Sequence, residues 1–243
     1  MFNWIVTIIR ALPISEFLKA FFHLFYPHIC LQCGTDQLED KNVLCKKCEA
    51  KLPFTNFSSI QSNPVEKIFW GRAPIDTVNS ILYFTKDSIV QKIIFELKYK
   101  QNKKAGYLLG KLIANELINS SKHIQVDYLI PIPISKKRLR ARGFNQTQII
   151  CNSIIAHGYE VSLFNGLHKL KDTLTQTHKD RTQRADQTNN LFYLNDFEAL
   201  TNKHLLIIDD VLTTGATLEA AAIILSQANP ASIHIVTAAY TIH

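Results

Sequence analysis

Glycine and proline are scarce, eight of each in 243 residues, and neither a low-complexity segment nor an internal repeat interrupts the chain. That excludes collagen-like and disordered classes, and the 47% of hydrophobic residues is ample for a packed core. Acidic residues are the minority charge, 20 Asp+Glu against 27 Lys+Arg, for a formal +7. The excess favours polyanionic partners: phosphorylated metabolites, nucleic acid or an anionic membrane surface. A uniform apolar run of membrane-crossing length is also missing. The 24 residues 220–243 carry no Lys, Arg, Asp or Glu, yet Ser226, Gln227, Asn229, Pro230 and Ser232 divide them into a helix, a turn and a strand. The opening MFNWIVTII lacks the basic start of a secretory leader, and Arg10, Pro13, Glu16 and Lys19 follow it. These features predict a soluble, cytoplasmic protein without a stable membrane span. Missing too are GxxxxGK[ST] and GxGxxG, which removes the P-loop and dinucleotide-binding readings.

What is present falls into four regions. Residues 1–26 space Trp4, Ile5, Ile8, Leu12, Phe17, Phe21 and Phe25 near helical periodicity, an N-terminal amphipathic helix whose apolar face suits packing on the body of the protein. Its polar face, with only Arg10, Glu16 and Lys19, lacks the cationic excess of interfacial membrane helices. Residues 27–55 hold a cysteine cluster, and 56–76, rich in Ser, Asn and Pro, read as a linker. From 77 to 243 strand-like runs near 77–85, 126–132, 205–208 and 233–239 alternate with helical periodicity through Ile89, Ile93 and Leu97, through Leu108 and Leu112, over 145–156 and from about Thr217. Strands separated by helices predict an α/β domain with a parallel-rich sheet and flanking helices.

Cys30-x-x-Cys33 and Cys45-x-x-Cys48 are separated by eleven residues. Each knuckle brings two thiolates to one side of a tight turn, and the pair closes a four-sulfur shell suited to tetrahedral zinc. Disulfides are disfavoured without a secretion signal, and unrelated buried thiols would not come in paired spacing. A closed shell has no open coordination position, so the zinc is expected to be structural, in a small zinc-ribbon-like module. Cys151, far from the cluster on a helix, reads as a buried apolar thiol.

The stretch 205–217, LLIIDDVLTTGAT, runs from an apolar strand through Asp209 and Asp210 into a hydroxyl-rich loop and then a helix. A strand-loop-helix of this kind gathers backbone N–H groups and hydroxyls around an anion. The carboxylates would repel a bare phosphate but suit neighbouring hydroxyls or a hydrated Mg²⁺. A ribose 5-phosphate offers both, whereas the plainer alternative is a solvated, capped strand end. Upstream, Lys136, Lys137, Arg138, Arg140 and Arg142 follow Pro131-Ile132-Pro133 with no acid among them, as either an anion-binding loop or a solvated charged one. Lys98, Lys100, Lys103 and Lys104, with Phe95 and Tyr99, form a second basic cluster, and 175–190 add Lys179, Arg181 and Arg184. Such patches also suit single-stranded nucleic acid.

The stretch 205–217 closely resembles the phosphoribosyl pyrophosphate signature of type I phosphoribosyltransferases. The four cysteines, Leu97-Lys98-Tyr99-Lys100, Arg140-x-Arg142-Gly143-Phe144-Asn145-Gln146, and Gln176-Thr177 with Arg181 and Arg184 narrow the resemblance to the ComF family over about residues 25–240. Gln187 stands where that family favours Asn, a departure that keeps the amide. The resemblance implies that Asp209 and Asp210 hold the ribose hydroxyls as the catalytic pair. It implies that Thr213, Thr214, Gly215, Ala216 and Thr217 cradle the 5-phosphate, and that Arg138, Arg140 and Arg142 meet pyrophosphate. It further implies a mobile loop near 175–190, Mg²⁺ bound with phosphoribosyl pyrophosphate, and a role in natural competence handling incoming single-stranded DNA. A competence helicase or channel protein is a candidate partner. The alternative it implies is an active Mg²⁺-dependent phosphoribosyltransferase with an unidentified acceptor.

Overall fold

The computed structural model describes residues 28–39, 41–120, 123–170 and 191–242. The expected helix at 1–26 and the expected loop at 175–190 lie outside them. The chain divides into two compact units, Met1–Lys51 and Leu52–His243.

In the first unit the knuckles are shaped by short backbone bonds. Gly34, at φ +72°, donates from its N–H to the Cys30 carbonyl at 2.9 Å, and Leu31 N–H reaches the Val43 carbonyl at 3.0 Å. The second knuckle opens helix α1 (Lys46–Glu49).

The second unit is built on a five-stranded sheet. In chain order its strands are β1 (Thr77–Phe84), β2 (Tyr128–Pro131), β3 (Ser162–Leu163), β6 (His204–Leu212) and β7 (Ser232–Thr241). They are arranged β1-β7-β6-β2-β3, every neighbouring pair parallel. A separate antiparallel pair joins β4 (Leu167–Lys169) and β5 (Phe192–Leu194). Leu205 through Ile208 on β6 are wholly buried, as a central parallel strand covered on both faces requires, and that double burial explains the unbroken apolar run.

The helices are α2 (Pro64–Lys67), α3 (Ile89–Tyr99), α4 (Lys103–Asn119), α5 (Lys136–Arg142), α6 (Gln146–Ala156) and α7 (Ala216–Ser226). On α3 the Ser88 hydroxyl accepts from the Gln91 N–H, and Val90, Ile93, Ile94 and Leu97 form the buried stripe. Helices α4 and α6 meet closely at Gly110, where a Cβ would stand 2.4 Å from the Ser153 Cβ and 2.5 Å from the Ile150 carbonyl oxygen. Only glycine permits that approach. Cys151 is fully buried on α6.

The reading of 56–76 as a linker is corrected. Phe57, Val65 and Phe69 are buried in one cluster with Ile130, Leu205, Ile207 and Ile235. The polar residues that resembled a linker serve as a cap. The Asn63 carboxamide oxygen accepts from the N–H groups of Val65 and Glu66 at 3.0 Å each, and Glu66 accepts from the Asn63 N–H. Asn63 Nδ2 also donates to the Val78 carbonyl at 2.9 Å, tying α2 to β1. The boundary expected after residue 55 moves back to Leu52, because Thr55 N–H bonds the Ile81 carbonyl and Phe54 bridges to Leu82.

Candidate functional site

Strands β2 and β6 lie side by side, yet the chain leaves β2 toward β3 at one edge and leaves β6 toward β7 on the other side. The connections thus diverge between these two carboxyl ends, and a parallel sheet opens a crevice at such a point. A cavity of about 490 Å³ occupies it, lined by Asp209, Asp210, Thr213 and Thr217 from the β6–α7 segment and by Pro133, Arg138 and Arg142 from the segment after β2.

The two carboxylates differ in their surroundings. Asp210 pairs with Lys98 Nζ at 2.8 Å, a partner delivered by α3. Asp209 Oδ1 accepts from the Asp210 N–H at 2.8 Å. Burial, reinforced by the Asp210 charge, pushes the Asp209 carboxyl up to about 7, against the pull of Lys98 and Lys169. The pair therefore offers oxygen acceptors for hydroxyls or a hydrated divalent cation, with Lys98 supplying countercharge.

The loop that follows is held from behind. Gly215 caps α7 at φ +78°, and a Cβ there would stand 2.8 Å from the Phe69 ring. The Arg72 guanidinium donates to the Thr214 carbonyl at 3.4 Å and pairs with Glu219. Thr213 and Thr217 face the cavity, while Thr214, Gly215 and Ala216 make the turn and the first residue of α7 without lining it. The arrangement presents hydroxyls and a helix start to an anion.

The basic segment expected as a loop is instead the short helix α5, capped by Ser135 and closed by Gly143 at φ +77°. Helical spacing decides which arginines converge. Arg138 and Arg142, four residues apart, share a face and line the cavity, whereas Arg140 points elsewhere and is solvent-exposed. Lys98, grouped by sequence with Lys100, Lys103 and Lys104, separates from them by entering the cavity.

Three further lining residues were not assigned to the site by the sequence reading. Lys169 comes from β4. Gln146 and Thr241 carry the two side-chain atoms, Nε2 and Oγ1, that are buried without a hydrogen-bond partner among the described residues, and both residues line this cavity. Buried polar atoms are rarely orphaned, so these two point to a ligand that satisfies them. Gln146 lay within a quoted motif, but nothing in the sequence distinguishes Thr241. The residues Gln176, Thr177, Lys179, Arg181, Arg184 and Gln187 lie outside the described part.

In the smaller unit the sulfurs of Cys30, Cys33, Cys45 and Cys48 all lie within 4.8 Å of one another, with Cys33 and Cys45 3.7 Å apart. A tetrahedron with metal–sulfur bonds near 2.3 Å has edges of about 3.8 Å. The Cys45 N–H donates to Cys30 Sγ at 3.4 Å. Burial resists ionisation of Cys30, but the N–H groups of Cys33, Cys45 and Gln32 outweigh it and bring that thiol down to about 6. Burial and the neighbouring sulfurs push Cys48 up to about 12. A bound cation is what would let all four ionise together, so the donor set fits a metal such as zinc.

A phosphoribosyl transferase domain matches residues 153–243, from within α6 through β7. The chain is 24% identical to the DNA utilization protein YhgH of Shigella flexneri over 85% of this chain and 88% of that protein. It is 24% identical to the YhgH protein of Salmonella typhi, where the match spans 63% of that relative's length and 59% of this chain. The competence protein ComFC of Streptococcus pneumoniae is 30% identical over 50% of this chain and 52% of its own. A solved Trypanosoma cruzi hypoxanthine phosphoribosyl transferase aligns over 60% of this chain and 75% of its own at 13% identity and a TM-score of 0.37. Among the described residues no helix is long and apolar enough to cross a membrane. With its parallel sheet, its carboxylate pair at the strand switch and its four-cysteine cluster, the chain is a homologue of the YhgH and ComFC proteins whose residues 153–243 match a phosphoribosyl transferase domain.

Proposed function

We propose that this protein binds Mg²⁺-phosphoribosyl pyrophosphate in the cavity between β2 and β6 and handles single-stranded DNA during its uptake in the cytoplasm. The observation that carries the reading is the convergence of an acidic pair, a threonine loop and two arginines on one 490 Å³ cavity. Asp209 and Asp210 would hold the ribose hydroxyls and the hydrated cation, and Thr213, Thr217 and the start of α7 the 5-phosphate. Arg138 and Arg142 would meet the pyrophosphate with bidentate guanidinium contacts. The four-cysteine cluster would hold a structural zinc. Helicases and channel proteins of a competence apparatus are the partners this role calls for.

Calorimetric titration tests the site. Phosphoribosyl pyrophosphate is expected to bind the zinc-loaded chain in the presence of Mg²⁺, and Asp210→Asn to weaken it at least tenfold. Equal affinity in the variant would sink the assignment.

The placement of Lys98, Arg138 and Arg142 around the acidic pair also favours a second reading, phosphoribosyl transfer with cations stabilising the departing pyrophosphate. Pyrophosphate release dependent on a particular acceptor, and lost in Asp210→Asn, would establish it. No turnover with nucleobases, ammonia donors or water would leave binding as the role.

A further inference from the structure

At the mouth of this cavity two aromatic rings remain open to solvent. Phe95 and Tyr99, one turn apart on α3, are 48% and 64% exposed, with ring centroids 5.2 Å apart. Both line the cavity that contains Asp209 and Asp210. The apolar packing of α3 is carried by Val90, Ile93, Ile94 and Leu97, so the two rings are not its core anchors. A cation stands over one of them, and a second over another ring. The Arg142 guanidinium stands 5.5 Å over the Tyr99 ring, and Lys103 Nζ stands 5.6 Å over the ring of Phe144. Lys100 and Lys103 are exposed, and in residues 89–107 Glu96 is the only acid among five lysines.

We infer that Phe95 and Tyr99 form a stacking platform for an unpaired base of single-stranded DNA, with the adjoining phosphates on Lys100 and Lys103. Arg142 serves both this strand and the pyrophosphate site. The inference rests on the DNA-handling reading above and adds to it the place of contact and the sign of the coupling.

The surroundings of the rings select the occupant. A protein partner would want aliphatic neighbours, whereas a cation against exposed rings matches a ligand that alternates flat π-surfaces with phosphates. Duplex DNA hides its base faces inside the stack, so the strand must be single. The Thr241 hydroxyl, buried in the same cavity without a partner among the described residues, can donate or accept, and so would tolerate any base edge presented to it. Coupling follows from charge. Arg142 lies over Tyr99 and also lines the phosphoribosyl cavity, so two polyanions in adjoining subsites compete for it and repel each other. Linkage makes the antagonism reciprocal.

Anisotropy of a labelled oligothymidylate with the full-length, zinc-loaded chain tests this. Tyr99→Ala is expected to bind about tenfold more weakly, with Tyr99→Phe restoring the affinity, because the ring rather than the phenol carries the contact. The slope of log affinity against log salt should stay unchanged in Tyr99→Ala and fall by about one in Lys100→Ala. Mg²⁺-phosphoribosyl pyrophosphate should weaken strand binding to the wild-type chain. Wild-type affinity in both Phe95→Ala and Tyr99→Ala would overturn the platform while the DNA-handling reading stood. Equal binding of duplex would overturn the platform as well. Strand affinity unchanged or raised by the nucleotide would overturn the shared role of Arg142. No strand binding even at low salt would overturn both this inference and the reading beneath it.

Discussion

The cysteine cluster and the cavity between β2 and β6 are assembled in opposite ways. All four sulfurs come from a stretch of nineteen residues, Cys30 to Cys48, and two tight knuckles suffice to gather them. The cavity draws on residues from Phe84 to Thr241, brought together by four strands, four helices and the segment after β2. A local site is written into spacing, and a metal bound there would contribute directly to folding energy. A distributed site depends on the sheet being formed first, and its side chains are selected by which way each helix and strand turns them.

The largest expected effect tests the local half of that contrast. Cys33→Ser should abolish tight zinc retention, read by elemental analysis after dialysis, and open residues 28–51 to proteolysis, since structural zinc contributes apparent binding energies on the order of 10 kcal/mol. Phosphoribosyl pyrophosphate affinity should persist. Loss of both together would show that the two sites are not independent.

A smaller effect tests the cavity. The Asp209 carboxyl sits at about 7 when folded, against an ordinary value of 3.8, so the native state holds the extra proton between those limits. Its contribution to stability is therefore present below about pH 4 and lost as the pH rises through 7. In Mg²⁺-free buffer Asp209→Asn should match wild type near pH 4 and exceed it at pH 8 by on the order of 4 kcal/mol in urea denaturation. A pH-independent difference would mean that the Asp209 carboxyl is not held up by burial.

The smallest effect separates neighbours on one helix. Arg138→Ala should weaken phosphoribosyl pyrophosphate about tenfold, through loss of a charge-assisted contact, while Arg140→Ala leaves it within error. Titration calorimetry on the two variants decides it, and equal losses would mean that bulk charge rather than the α5 face controls affinity.

The alternation of strands and helices was readable because central parallel strands are apolar on both faces and their helices carry a stripe, as in Leu205 to Ile208 and Val90 to Leu97. Asn63 and Pro64 misled, since the residues that cap a helix are those that fill linkers. Arg138, Arg140 and Arg142 misled differently: a cationic run with only Leu139 and Ala141 between its charges shows no stripe, so nothing announced a helix or its face. The β4–β5 pair went unseen because three-residue strands are too short to show alternation.

By itself the sequence determined the paired-cysteine spacing, the carboxylate-threonine loop and the order of the main strands and helices. Each depends on neighbours in the chain, whose geometry is set by backbone turns and residue type. Only the tertiary structure decided that Lys98 pairs with Asp210, that Arg142 stands over Tyr99, and that Gln146 and Thr241 face the same cavity. Those pairings join residues 43 to 112 positions apart, or opposite ends of the sheet's wiring, and a parallel strand order brings them together where no periodicity in the text can.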